Sequence, residues 1–115
     1  MNWETASESD LHRLEVIKSF LSHQPHLLRY LFQPERPALH SSPEVLLANS
    51  SGFCTADKIL IRVALQLWCE YGELNLTELF CLDGEVFLKV LEAIKRLGPK
   101  PSPWYQILNQ NPVEN

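Results

Sequence analysis

Residues 55–71 read TADKILIRVALQLWCEY, and this stretch decides the fold class because nearly all of it is apolar. Its polar side chains recur every four residues, which places them in one narrow stripe on a helix. They are Lys58, Arg62, Gln66 and Glu70. A helix that is apolar on every other side must be enclosed by neighbouring elements. We therefore predict a central helix at 56–71, with the rest of the chain packed around it.

Signals at both ends of this stretch favour a helix. Thr55 is a suitable N-cap, and Asp57 in the first turn complements the positive end of the helix dipole. Gly72 is placed to end the helix in the C′ position, where the left-handed conformation is common. The β-branched residues between Ile59 and Leu65 also suit a strand, but the length of the stretch and its polar stripe favour a helix.

Similar signals predict further helices on both sides of the central one. Proline fits the first turn of a helix, and Ser41, Asn75 and Asp83 supply caps. The expected helices run from about Ser9 to Ser22, from Pro25 up to Pro34, from Pro43 up to Asn49, over 76–82 and over 84–97. With 84–97 packed on the central helix, the predicted fold is all-α, a single-domain orthogonal bundle of about five helices.

The first and last of these helices carry apolar stripes at helical spacing. The stripe of the first helix consists of Leu11, Leu14, Val16, Ile17, Phe20 and Leu21. The residues of this helix that are expected to face water are Glu8, Asp10, Arg13, Glu15 and Lys18. The stripe of the last helix consists of Phe87, Val90, Leu91, Ile94 and Leu97. Both stripes are expected to pack into the core.

The chain of 115 residues fits one domain, and its 45% hydrophobic and 21% charged residues give a globular balance. We divide it into a lead-in at 1–8, a helical domain at 9–98 and a Pro-rich C-terminal arm at 99–115. No segment is long and apolar enough to predict a membrane span, and the first ten residues lack the features of a secretory signal. A cytoplasmic location is therefore expected.

No motif in the sequence predicts a metal or a cofactor. The four histidines and three cysteines form neither a CxxC nor an HExxH pattern, which zinc sites commonly use. The four glycines are dispersed and form no phosphate-binding loop. We therefore expect no metal, no cofactor and no enzymatic activity.

The cysteines leave one enzymatic alternative. Cys54, Cys69 and Cys81 have apolar neighbours and are expected to be buried, reduced thiols. Cys54 comes just before a predicted helix N-terminus, where the helix dipole lowers the pKa of a thiol. A small thiol-dependent enzyme is therefore an alternative, and it requires a histidine within hydrogen-bond reach of Cys54.

A second alternative is a helix–turn–helix transcription regulator. The run from Leu76 to Leu97 predicts a short helix, a glycine-containing turn and a longer helix, which is the spacing of such DNA-binding units. The basic residues that would meet DNA are Lys89, Lys95, Arg96 and Lys100. Glu85 and Glu92 on the same helix, together with the net charge of −4, disfavour nucleic acid as the partner.

The leading hypothesis is a non-enzymatic interaction module or adaptor that binds another protein or a second copy of itself. The apolar content beyond a simple core stripe motivates it, and Trp and Tyr are frequent anchors of interfaces. The expected contact residues are Leu88, Trp104, Tyr105, Ile107 and Leu108. The C-terminal arm can also fold back over its own domain, or it can exchange between two copies and form a dimer.

Overall fold

The structure, a computed structural model, describes residues 8–97, with side chains from Asp10 onward. Its elements in chain order are α1 (Glu8–Leu21), α2 (Pro25–Leu31), α3 (Pro43–Ala48), a 3₁₀ helix (Asn49–Gly52), α4 (Thr55–Cys69), a second 3₁₀ helix (Leu76–Cys81) and α5 (Gly84–Leu97). Within these residues no β-strand occurs, and one isolated antiparallel bridge joins Phe32 to Leu39. The all-α fold class is confirmed, and the arm at 99–115 lies outside the described residues.

The helix α4 lies at the centre of the fold. It contacts α1, α2, α3, α5 and the second 3₁₀ helix. Its buried side chains are Ile59, Leu60, Ile61, Val63, Ala64, Leu65 and Trp68. They lie on nearly every side of the helix, as the sequence pattern predicts, because neighbours surround all but its narrow polar stripe.

Both predicted ends of α4 are wrong in detail. The N-cap is Cys54, one residue before Thr55, and its side chain makes no capping hydrogen bond. At the other end Glu70, and not Gly72, takes the left-handed conformation that ends the helix, with a φ of 57°. Gly72 has a φ of 88° in the following turn, where its carbonyl accepts a hydrogen bond from the Gln66 side chain. The helix therefore ends earlier than the glycine indicates.

The buried face of α1 includes two residues that were expected to face water. Asp10 is only 4% exposed, and Arg13 is half-buried. The Arg13 guanidinium donates hydrogen bonds to the carbonyls of Leu67 and Trp68, each at 3.1 Å. These carbonyls belong to the last turn of α4, whose partial negative charge attracts a cation. Leu11 was expected in the core and is 52% exposed.

The helix α5 packs mainly against α1 and makes a smaller contact with α4. The predicted contact between 84–97 and the central helix is therefore present, and the contact with α1 is an additional and larger one. Val90 and Ala93 are its fully buried residues. Leu91 was expected in the buried stripe but is 38% exposed, because the face that meets α1 is centred on Val90 and Ala93.

The segment between α2 and α3 packs on the core although it has no regular structure. Ala38 and Leu39 are fully buried, and the Phe32–Leu39 bridge brings this segment back against the end of α2. Phe32 in turn lies edge-on to Trp68, with 5.0 Å between the ring centroids. The bridge ends α2 at Leu31, before Pro34 is reached.

Candidate functional site

The largest side chains exposed near one another belong to α5 and the second 3₁₀ helix. Phe80 is 69% exposed, Leu88 65% and Leu91 38%. The half-buried Phe87 links them: its ring lies 5.8 Å from that of Phe80, and Leu91 is one helical turn further along the same side. We call the surface formed by Phe80, Phe87, Leu88 and Leu91 the α5 ridge.

The α5 ridge exists because the apolar arc of α5 is wider than its neighbours cover. Val90 and Ala93 face α1, and Phe87 and Ile94 lie at the border of that contact as half-buried residues. With about 100° of rotation per residue, Leu88 lies nearly opposite Ala93 on the helix. An ordinary surface helix has polar residues in that position.

The sequence indicated only part of this surface. Leu88 was expected as a contact residue, and the structure shows it exposed. Leu91 was assigned to the core, and Phe80 was not singled out. The other expected contact residues, Trp104, Tyr105, Ile107 and Leu108, lie outside the described residues.

Two basic residues of the DNA-binding alternative, Lys89 and Arg96, are seven positions apart and share one side of α5, whereas Lys95 lies about 100° away from Arg96 around the helix. Lys89 is half-buried, whereas Lys95 and Arg96 are exposed in the last turn. Lys100 lies outside the described residues. The element before α5 is a 3₁₀ helix, so the short helix predicted at 76–82 does not have the α-helical form of a helix–turn–helix unit.

A groove of about 630 Å³ lies between α1, α2 and the segment that follows α2. Its apolar residues include Leu11, Leu14, Leu28 and Phe32. Its charged residues are of both signs: Glu15, Lys18, Arg29, Glu35 and Arg36. The exposed Leu11 is part of this lining, but the mixed charges of the groove select no particular ligand.

A smaller pocket of about 340 Å³ lies between α4 and the second 3₁₀ helix, with Lys58, Arg62, Glu78 and Cys81 in its lining. The Arg62 guanidinium donates to the Glu78 carboxylate at 2.5 Å, and the same carboxylate accepts the Asn75 N–H at 2.9 Å. Both contacts favour the ionised form, and they lower the pKa of Glu78. The pair connects the polar stripe of α4 to the element that precedes α5.

Replacement of Glu78 by glutamine is expected to lower the thermal stability at neutral pH and to have no such effect in strong acid. A carboxyl whose pKa is lowered by folding stabilises the protein above its unfolded pKa of about 4.3, and it loses this contribution as the pH falls through the folded value. Thermal unfolding of both proteins from neutral to acidic pH measures the difference. Glu92→Gln, an exposed change on α5, is the control. If the difference in thermal stability between the two proteins persists unchanged in acid, the ionised Glu78 carboxylate is not its source.

The cysteines are free, and two of them are exposed, contrary to the expectation of buried thiols. Of the two exposed cysteines, Cys54 is the N-cap of α4 and Cys81 is the last residue of the second 3₁₀ helix. Cys69 is half-buried, and burial raises the pKa of its thiol. The thiol-enzyme alternative requires a histidine at Cys54 and stays a prediction. The His26 ring lies 6.2 Å from that of Phe53, the residue before Cys54, and its Nε2 is bonded to the Asp57 carboxylate at 2.9 Å.

Among residues 8–97, no group of three or more His, Cys, Asp or Glu side chains could hold a metal ion. In the same range, no helix has the length and apolar character needed to cross a membrane. Comparison of the chain with protein-family models, curated proteins and solved structures found no match. The α5 ridge is therefore the feature of the described residues that most directly suggests a function.

Proposed function

We propose that the protein is a helical interaction module that binds another protein through the α5 ridge. Two neighbouring exposed groups carry this proposal. Leu88, 65% exposed, lies beside Phe87 and Leu91 on α5, and Phe80, 69% exposed, lies against the Phe87 ring from the preceding 3₁₀ helix. Scattered exposed apolar residues are ordinary, but a contiguous group is typical of a surface that a partner covers.

The composition of the ridge supports this role. Aromatic side chains bury a large area for few rotatable bonds, and they supply many of the residues that dominate binding energy. Charged residues border the ridge on α5, namely Glu85, Glu92, Lys95 and Arg96. An apolar centre with a charged rim is the usual anatomy of a protein–protein interface.

Several finer features belong to the same proposal. We take the bundle to be orthogonal, with the Pro-rich arm as a second contact segment that contributes Trp104 and its apolar neighbours. The free cysteines suit a reducing compartment, so we place the protein in the cytoplasm. The proposed role is that of an adaptor without enzymatic activity.

Replacement of Leu88 by aspartate is expected to reduce partner binding at least about thirtyfold, because a buried apolar anchor becomes a desolvated charge. The measurement is quantitative capture by the immobilised full chain from an extract of the cells that make it. Val45→Asp is the matched control, because Val45 is 45% exposed on α3, away from the ridge. Circular dichroism verifies that both variants fold.

Equal capture by folded Leu88→Asp and by the unchanged protein would remove the ridge as the binding surface. Binding of duplex DNA that weakens steeply with salt would instead support the transcription-regulator alternative. No observation on α5 favours that alternative, because Glu92 lies between the half-buried Lys89 and the basic last turn.

A further inference from the structure

We infer that the arm at 99–115 folds back over its own domain and that Trp104 and its apolar neighbours occupy the groove between α1 and α2. The inference goes beyond the proposed function, because no residue of the α5 ridge lines this groove. The proposed function makes the same arm a second contact for the partner, so that partner must first displace Trp104 from the groove. The inference depends on where α5 ends, on the reach of the arm from that end and on the chemistry of the groove.

Two contacts fix the direction of α1 relative to α4. Arg13, near the start of α1, donates to the carbonyls of Leu67 and Trp68 at the end of α4. His26, in the first turn of α2 just after α1, is bonded to Asp57 in the first turn of α4. The helix α1 therefore runs antiparallel to α4 and ends near the first turn of α4.

The start of α5 lies at the same end of α4. Cys81, the last residue of the second 3₁₀ helix, lines a pocket with Thr55 and Lys58 from the first turn of α4. Only Leu82 and Asp83 separate Cys81 from α5. The helix α5 therefore begins close to the point where α1 ends.

From this point α5 returns along α1. Both helices are 14 residues long, and their contact is the most extensive one between two elements of the described part of the chain. Because α5 begins where α1 ends and packs along it, the two helices run antiparallel. Leu97, the last residue of α5, therefore lies near the first turn of α1, which includes Leu11 of the groove.

The arm is long enough to enter the groove from the end of α5. Trp104 is seven positions beyond Leu97, and prolines occupy positions 99, 101 and 103 between them. A proline-rich chain is extended and advances about 3.1 Å per residue, so Trp104 can lie about 22 Å from Leu97. A helix with its side chains is about 10–12 Å wide, so this distance is sufficient to pass around the start of α1.

The groove suits an apolar and uncharged occupant. Its volume of about 630 Å³ is within the range of ligand pockets, and its apolar lining includes Leu11, Leu14, Leu28 and Phe32. Charged residues of both signs also line it, so a charged occupant would be attracted by some of them and repelled by others. Residues 101–113 carry no charged side chain, and they include Trp104, Tyr105, Ile107 and Leu108.

The lead-in is a second segment that starts near the groove, because Glu8 belongs to the same turn of α1 as Leu11. Its one aromatic side chain is Trp3, which is followed by the charged Glu4. The arm has more apolar surface to bury, and the free energy gained on burial is proportional to that surface. The arm is therefore the occupant that we propose.

NMR spectroscopy of the full chain tests the contact directly. Nuclear Overhauser effects are expected between the Trp104 indole and the methyl groups of Leu11 and Leu28, because packed side chains approach within about 4.5 Å. A sample mixed from labelled and unlabelled chains separates effects within one copy from effects between two copies. Only effects within one copy are expected.

Limited proteolysis with chymotrypsin, which cleaves after aromatic residues, tests the role of the groove. Cleavage after Tyr105 follows the population of the released arm when release and docking are fast. Leu11→Asp is expected to raise the rate of this cleavage about tenfold or more, because the indole would have to desolvate a charge. Leu76→Asp is the matched control, because Leu76 is 69% exposed on the second 3₁₀ helix, and the rate is expected to stay unchanged. Circular dichroism verifies that both variants fold.

The inference is overturned if Trp104 shows no contact with the groove, if the contacts join two copies, or if Trp3 is found there instead. Equal cleavage of folded Leu11→Asp and of the unchanged protein overturns it as well. Leu88→Asp is expected to leave the contacts of Trp104 with the groove intact. Loss of partner capture in that variant therefore tests the proposed function separately from the docking of the arm.

Discussion

Replacement of Trp68 by alanine is expected to lower the free energy of unfolding by about 3–5 kcal/mol. Trp68 has no exposed surface, and its ring lies 5.0 Å from that of Phe32, edge to face. The substitution removes this aromatic contact and leaves a cavity in the core beside the last turn of α4. Small domains are stabilised by about 5–15 kcal/mol in total, so this change is expected to bring the protein close to unfolding.

Urea denaturation measured by circular dichroism determines the loss of stability at Trp68. Leu76→Ala is the control, because Leu76 is 69% exposed and its truncation is expected to change the free energy of unfolding by less than about 0.5 kcal/mol. Trp68→Phe is expected to cost less than the alanine change, because Trp68 Nε1 has no acceptor among the described residues. Similar unfolding curves for the Trp68 and Leu76 alanine variants would show that α4 is not enclosed.

Replacement of Arg13 by methionine is expected to lower the free energy of unfolding by about 2–3 kcal/mol. The guanidinium donates to two carbonyls in the last turn of α4, and hydrogen bonds from a charged donor contribute about 1.5–3 kcal/mol. Methionine preserves much of the apolar stem of Arg13 but leaves the carbonyls of Leu67 and Trp68 without this donor.

Lys18→Met is the matched control for Arg13, because Lys18 is an exposed cation on the same helix. Its effect on the free energy of unfolding is expected to stay below about 0.5 kcal/mol. Equal effects of the two methionine variants, measured by urea denaturation, would show that Arg13 contributes only its positive charge. A loss of stability in the Arg13 variant alone would support the hydrogen bonds between Arg13 and the end of α4.

The sequence predicted the helices more successfully than their faces. The enclosure of α4 follows from its polar stripe, and prolines mark the first residues of α2 and α3. The face of α1 was misjudged because Asp10 and Arg13 are polar, and periodicity assigns polar residues to water. The half-buried Arg13 is hydrogen-bonded to a partner that is 54 residues away in sequence, and no local pattern contains that information.

The candidate site could be predicted only in part for a related reason. Leu88 lies off the main stripe of α5, so its exposure could be inferred from helical spacing. Leu91 lies on that stripe, and its exposure depends on how α1 sits against Val90 and Ala93. Phe80 precedes α5 in a short apolar run whose period does not distinguish an inner from an outer face.

The packing of α5 on α1 has a consequence for how the chain reaches its native state. These two helices are the first and last described elements, so their contact closes a loop that contains all the others. Closure of a long loop is entropically costly, and such non-local contacts slow folding. During synthesis α1 has no access to this neighbour until α5 has left the ribosome, so the part of its apolar face that α5 covers stays exposed up to that moment, although α2 and α4 are already available to the rest.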